Sequence, residues 1–234
     1  MLSNSFKWKH YEGEIILLNV RWYLKYPLSY RNLKEIMAER GVKVDHTTIM
    51  RWVHQYSPEI EKNIRRHLRP TNDLWRVDET YIKVKGKWKY FYRAVDSNGD
   101  TIDFMLSSKR NRKAANRFFK KALRSNHNQI PRLITVDKNP AYPPAKGKLT
   151  NDKILPKNIG IRQIKYLNNI IEQDHRSLKR IINPMLGFQS FRSANQILKG
   201  IEAINMIKKG QVNDLNYSVF NEVKYINQLF GIVL

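Results

Sequence analysis

Two glycine turns, Lys85-Gly86 and Asn98-Gly99, cut residues 75–106 into three short segments rich in aromatic and β-branched side chains. Segments at 75–84, 87–96 and 101–106, each bounded by turn residues, predict three antiparallel strands in a meander. The pattern on both sides is helical, so the expected class is mixed α and β. The first of these segments also contains Asp78, set among apolar neighbours in Trp75-Arg76-Val77-Asp78-Glu79-Thr80-Tyr81. A charge buried there costs several kcal/mol unless something neutralises it.

Downstream, residues 112–125 carry Ala114, Ala115, Phe118, Phe119, Ala122 and Leu123 at helical spacing. Residues 109–124 hold eight basic side chains and no acidic one, more than a solvated face needs. Pro131 resets the chain into an apolar strand at 133–136, and 161–164 forms a further short strand. Residues 139–160, rich in Pro, Gly and Lys, stay unassigned. Beyond Leu167 the chain is helical, broken near Pro184 and Gly187, and resumes at 194–208. Three antiparallel strands, a helix, a parallel-capable strand and a later helix is the order expected of an RNase H-like mixed sheet.

Upstream, Ile15, Ile16, Leu18, Val20, Trp22, Tyr23 and Leu24 predict a helix over 14–26 that Pro27 ends. Ser29 caps a second helix carrying Leu33, Ile36 and Met37, and Gly41 supplies the left-handed position at its end. Asp45 caps a third helix through about Tyr56, with Ile49, Trp52 and Val53 inward and Thr47, Thr48, Met50, Arg51 and His54 outward. A short Gly-containing turn between steeply angled helices is helix-turn-helix geometry, which lays the second helix in a major groove. The same pattern also builds a plain three-helix bundle. The expected organisation is a helix-turn-helix DNA-binding domain at 1–56, a basic linker at 57–73 that is helical and either tracks phosphates or is a solvated face, a catalytic domain at 74–186 and a C-terminal helical region at 187–234.

The 43 Lys and Arg against 20 Asp and Glu give a net charge of +23, which calls for a polyanionic partner, nucleic acid before an anionic membrane surface. The excess is positive in residues 1–70, 71–150 and 151–234 alike, so the contact should run along the whole molecule. The chain has no cysteine, which excludes disulfides, thiolate zinc sites and a Cys nucleophile, and fits the cytosol. It also lacks an apolar run of about 18 residues, and Lys7, Lys9, Glu12 and Glu14 interrupt the start. Neither a membrane span nor a secretory signal is expected.

In so basic a chain, carboxylates gather only around something positive. Asp78 lies on the first strand, Asp137 at the C-terminal end of the fourth, which crossover geometry can set beside the first, and Glu172 on the later helix. Converging, the three would repel one another unless cations bound. Hard oxygen ligands select Mg²⁺ or Mn²⁺ over zinc. Two ions about 3.5–4 Å apart would activate an attacking oxygen and stabilise the leaving one, which fits phosphoryl transfer on DNA. His175 and Lys179 fall three and seven residues after Glu172, on the same helix face, whereas Asp174 and Arg176 point elsewhere. Lys179 there can hold a phosphate beside the metals, although spacing alone fits a solvent-exposed lysine as well, and His175 suits packing better than catalysis. Asp96 and Asp103 are assigned to strand ends and hairpins.

Asp78, Asp137 and Glu172, with 34 residues between the last two, and Lys179 seven beyond, resemble the D-D-E-K pattern of insertion-sequence transposases. More narrowly, the Trp75 to Tyr81 string, Lys85-Gly86-Lys87-Trp88, Tyr92-Arg93-Ala94-Val95-Asp96, and Lys165-Tyr166-Leu167-Asn168-Asn169 followed by Glu172-Gln173-Asp174-His175-Arg176 resemble the small bacterial transposases of insertion sequence family six. Leu28-Ser29-Tyr30-Arg31 and His46-Thr47-Thr48-Ile49-Met50-Arg51-Trp52 extend the resemblance into the helix-turn-helix. It implies an RNase H-like catalytic core, two Mg²⁺ ions with Mn²⁺ able to substitute, and DNA partners in the element's inverted terminal repeats and the target. It further implies water attack at the 3′ ends, strand transfer by the freed hydroxyls, and cointegrates. Holding two ends together requires at least a homodimer. Two departures stand out: Ile181-Ile182-Asn183-Pro184 shortens a helix that family members keep basic, and Pro143-Pro144-Ala145-Lys146-Gly147 occupies a place where a helix is expected. An integrase or nuclease on the same scaffold, or a non-catalytic helix-turn-helix repressor, stays open at this point.

Overall fold

The computed structural model describes all residues except 1–5, 8, 165–168 and 234, with the backbone alone for Asn169, so the 165–168 part of the family-like string lies outside the described residues. The chain forms two compact units, one of residues 1–68 with 180–234, the other of 69–179.

In the first unit, α1 (Gly13–Lys25) buries Ile16, Leu17, Val20 and Leu24 and stops before Pro27. Ser29 and Asn32 form a reciprocal capping box at the start of α2 (Tyr30–Glu39), and Gly41 follows at φ +74°. Asp45 caps α3 by accepting from the Thr47 N–H at 2.9 Å. This helix, α3 (His46–Ile64), continues past the expected end at Tyr56 and through Pro58. Proline removes one backbone donor, but Ile60, Glu61 and Ile64 are buried beyond it, and that packing holds the helix together. The start of the expected basic linker is therefore core-forming helix, followed by one 3₁₀ turn at Arg65–His67.

The second unit is built on a five-stranded sheet. Its first strands are β1 (Leu74–Val84), β2 (Lys87–Val95) and β3 (Thr101–Ser107), an antiparallel meander as the turn chemistry predicts. Lys85 and Gly86 take φ of 49° and 72°, the mirror-image turn whose twist matches a two-residue hairpin. The helix α4 (Arg112–Leu123) leads to β4 (Leu133–Val136), and α5 (Tyr142–Asn151) leads to β5 (Gly160–Gln163). Strand order is β3-β2-β1-β4-β5, with β4 parallel to both β1 and β5. This order and polarity is the RNase H-like sheet. Trp75, Val77, Tyr92, Ala94 and Ile102 pack under Ala115, Phe118 and Phe119 of α4 and Tyr142, Ala145 and Leu149 of α5.

Two expectations change here. The Pro143 to Gly147 stretch is not a missing helix: it is α5, whose prolines sit in the first turn, where backbone N–H groups need no intrahelical partner. Asp96 does close the β2–β3 turn, accepting from the N–H groups of Asn98 and Asp100. Asp103, however, lies within β3 opposite Ala94, 1% exposed, where Lys121 of α4 neutralises it.

The helix α6 (Asn169–Ile182) ends in a 3₁₀ turn at Asn183–Met185, as Pro184 requires. Ser190 caps α7 (Phe191–Lys208), and α8 (Val219–Leu229) follows. Both belong to the core of the first unit and not to a separate C-terminal region. A Cβ at Gly200 of α7 would lie 2.6 Å from Leu24 Cδ1 and 2.7 Å from Ser57 Cβ, so glycine permits the approach to α1 and α3. Glu222 of α8, fully buried, pairs with Arg21 and Lys25 of α1 at 2.8 Å each. Among the described residues, no helix is long and apolar enough to cross a membrane.

Candidate active site

β1 is the central strand, and its pairing Val77↔Val136 with β4 sets Asp137, the first residue past β4, beside Asp78 and Glu79. One carboxylate oxygen from each of Asp78, Glu79 and Asp137 lies within 4.8 Å of the others. The Glu79 side chain is nearly fully buried, at 2% exposure, while those of Asp78 and Asp137 are partly open at 19% and 30%.

The cluster is framed by polar groups from the loops that follow β3 and β4. Arg110, just before α4, donates to Asp137 Oδ2 at 2.9 Å and to Glu79 Oε2 at 3.2 Å. Asn139 donates its backbone N–H to Asp137 Oδ1 and its side-chain Nδ2 to Glu79 Oε1, each at 3.0 Å. Burial pushes the Asp78 carboxyl up to about 7, and the charges of Glu79 and Asp137 add to that, against the Glu79 N–H and Arg110. Glu79 is raised by the same desolvation, with Arg110 and the Tyr142 hydroxyl opposing. Tyr142, buried beside Glu79, is held well above its ordinary value by burial first and then by that carboxylate. The site thus concentrates negative charge where water is scarce, a strong bias toward binding a cation.

Of the expected residues, the structure brings Asp78 and Asp137 together and adds Glu79, which sequence reasoning passed over. Glu79 stands on the face of β1 that turns toward the α4 and α5 core. An acidic residue on an otherwise apolar strand face is the signal that could have marked it. Glu172 lies on α6 as expected but is exposed and outside the 4.8 Å cluster, and Lys179 is exposed too. His175, one turn beyond Glu172, is 6% exposed with Nδ1 3.7 Å from Asp78 Oδ2. The rotation of α6 has a physical cause. Asp174, expected to point away, is turned to the sheet and paired at 2.5 Å with Arg93, which is fully buried on β2 directly opposite Asp78. That pair and the buried Ile171 and Leu178 fix the inner face of the helix and leave Glu172 outside it.

In the first unit, Arg51 is exposed on α3, and Thr47 and Thr48 are half-buried. The Thr47 hydroxyl donates to the capping Asp45 at 2.6 Å. Met50 and His54 are not simply outward: they line a cavity of about 460 Å³ with Tyr23, Pro27, Ile181 and Phe188. Burial there pushes His54 below its ordinary value. In the second unit, Lys109, Arg112, Lys113 and Arg117 surround an open concavity of about 490 Å³ at the start of α4.

An RNase H-like sheet bearing carboxylates at the middle of β1 and the tip of β4 fits a DDE-type polynucleotidyl transferase. The transposase DDE domain family matches residues 72–211, and the chain belongs to that family. It is 38% identical over 206 residues to the transposase for insertion sequence-like element IS431mec of Staphylococcus aureus, covering 88% of this chain and 89% of that one. The transposase for insertion sequence element IS257 in transposon Tn4003, also from Staphylococcus aureus, matches with the same identity and coverage. The protein is a transposase of insertion sequence family six. Among solved structures, the HTLV-2 integrase catalytic core domain in complex with magnesium (dimeric form) is 17% identical, covering 62% of this chain and 97% of its own, with a TM-score of 0.45.

Proposed function

We propose that this transposase binds the inverted terminal repeats of its element, cleaves at the 3′ ends and joins those ends to target DNA, producing cointegrates. The observation that carries the reading is the close approach of Asp78, Glu79 and Asp137 in a protein of net charge +23. The donor set fits hard divalent ions, Mg²⁺ with Mn²⁺ able to substitute, because it is all oxygen and short of neutralising charge. When bound, a pair of such ions polarises the attacking water or hydroxyl and stabilises the leaving oxygen. Asp78 and Asp137 would hold the ions, and Glu172, exposed on α6 and outside the cluster here, would complete the set once α6 turned that side chain inward on binding DNA and metal. Arg110 and Asn139 each donate to both Asp137 and Glu79 and so orient the two carboxylates. Lys179 takes a phosphate of the reacting strand.

On α3, Arg51 and Thr48 read base edges, with Thr47 beside the cap and Met50 and His54 at the cavity rim contributing from the same helix. The basic start of α4 gathers further phosphates. Two ends joined in one reaction call for a homodimer or larger assembly on DNA, working in the bacterial cytosol.

Incubating purified protein with labelled terminal-repeat duplex and Mg²⁺, then mapping nicks to the nucleotide, tests the reading. Asp78→Asn and Glu172→Gln should abolish cleavage and joining while terminal-repeat binding survives. Activity lost in Glu79→Gln but kept in Glu172→Gln would give the third ligand position to Glu79. Cleavage without joining would mark a nuclease, and binding with no cleavage by the unsubstituted protein would mark a repressor.

A further inference from the structure

On one face of the β1–β2 hairpin, three cross-strand pairs lead from the core to solvent: Glu79↔Tyr92, Tyr81↔Tyr90 and Lys83↔Trp88. Tyr92 is fully buried, Tyr90 half-buried, and Trp88 is 62% exposed with Tyr81 at 50%. The rings form one contiguous surface, Tyr81 lying 5.5 Å from Tyr90 and 6.4 Å from Trp88 between centroids, the latter edge to face. Such an apolar surface on a hairpin tip costs solubility unless it serves contact. The hairpin also carries Lys83, Lys85, Lys87 and Lys89, and no acidic residue lies between Glu79 and Asp96.

The inner edge of this surface meets the carboxylate cluster. Tyr81 follows Glu79 by two positions on the same strand face, a separation of about 7 Å. That is roughly two stacked-base steps of about 3.4 Å each. Lys83 shares the aromatic face, Lys85 sits at the turn, and Lys87 and Lys89 lie on the opposite face of the hairpin. An aromatic face with lysines beside it and at its tip suits nucleobases joined by phosphates, since stacking accepts any base and the lysines meet the backbone.

We propose that Tyr81, Trp88 and Tyr90 form a stacking platform for unpaired DNA bases within one or two nucleotides of the reacting phosphate. The proposal rests on the DNA strand-transfer reading above and adds a ligand to it: a frayed strand end, held open beside the carboxylates. Duplex DNA hides its base faces, so the platform acts only on separated bases.

The test uses the full chain without divalent ions and compares blunt terminal-repeat duplex with the same duplex bearing a single-stranded 3′ overhang that contains 2-aminopurine. Trp88→Ala and Tyr81→Ala should leave blunt-duplex affinity unchanged and weaken overhang binding on the order of tenfold. Trp88→Phe should restore it. Overhang DNA should quench the fluorescence of Trp88, the most exposed tryptophan among the described residues, and the quench should vanish in Trp88→Phe. Unchanged overhang preference in both alanine variants overturns the proposal. So does a change in sedimentation with overhang binding intact, which would assign the surface to a second copy of this chain. If the unsubstituted protein ignores terminal repeats yet shows Trp88-dependent overhang binding, the platform stands and the proposed function falls.

Discussion

Replacing Asp174 with alanine removes the carboxylate that neutralises Arg93, and both side chains lie where water cannot take over that role, at 8% and 0% exposure. Breaking a buried pair from one side costs about 3–5 kcal/mol, because the surviving charge stays in a poorly polarisable interior. At about 2–4 °C per kcal/mol for a chain of this size, the melting temperature should fall by roughly 6–20 °C. Calorimetry on the full chain reads the fall. The double variant Arg93→Met with Asp174→Leu should recover most of it, since an apolar pair of similar volume pays no desolvation penalty. A drop of less than about 1 kcal/mol, or a double variant as damaged as the single one, would show that the pair does not anchor the helix.

Asp78, held up to about 7 mainly by burial, favours its protonated form in the folded protein. Its stabilising contribution is full below the ordinary carboxylate value and lost as pH rises through about 7, so metal-free wild type should lose melting temperature across that window more steeply than Asp78→Asn; parallel profiles would refute the assignment. The gain in melting temperature from Mg²⁺ should correspondingly be larger above that pH than below it. Arg110→Ala, which removes the guanidinium shared by Glu79 and Asp137, should lower metal-free stability and enlarge the Mg²⁺ increment, whereas an equal increment would separate Arg110 from the cluster's charge balance. Arg51→Ala should cost on the order of 1–3 kcal/mol on the preferred repeat and relax sequence preference, read by competition binding; equal loss on all sequences would make it a phosphate contact.

The strands were legible because their signals are local. Lys85-Gly86 fixes a hairpin by backbone conformation, and the predicted bounds of the three meander strands fall within a residue or so of those observed. Where composition and periodicity disagreed, composition misled. The prolines and glycine of 142–151 hid a helix whose Tyr142, Ala145 and Leu149 recur at helical spacing, and Pro58 looked like a boundary although the apolar spacing of Ile60 and Ile64 carries on. The site was half legible. Asp78 and Asp137 follow from topology, because a parallel β1–β4 pair brings a strand middle and a strand end together. Glu79 gains its meaning from Arg110, Asn139 and Tyr142, three residues on other elements, and the turn of α6 that leaves Glu172 outward depends on an ion pair between distant segments. Pairings of that kind have no local periodicity to betray them.

The sheet unit interrupts the helical one in the chain, and this sets an order on biosynthesis. When a ribosome has finished α3, neither Gly200, whose bare backbone lets α7 nest against Leu24 and Ser57, nor Glu222, which absorbs the charges of Arg21 and Lys25, has yet been made. The helices α1 to α3 therefore finish packing after the sheet unit, although they are translated before it. A nonsense mutation ahead of α7 releases a fragment that carries the carboxylates but leaves α1 and α3 without the helices that bury them.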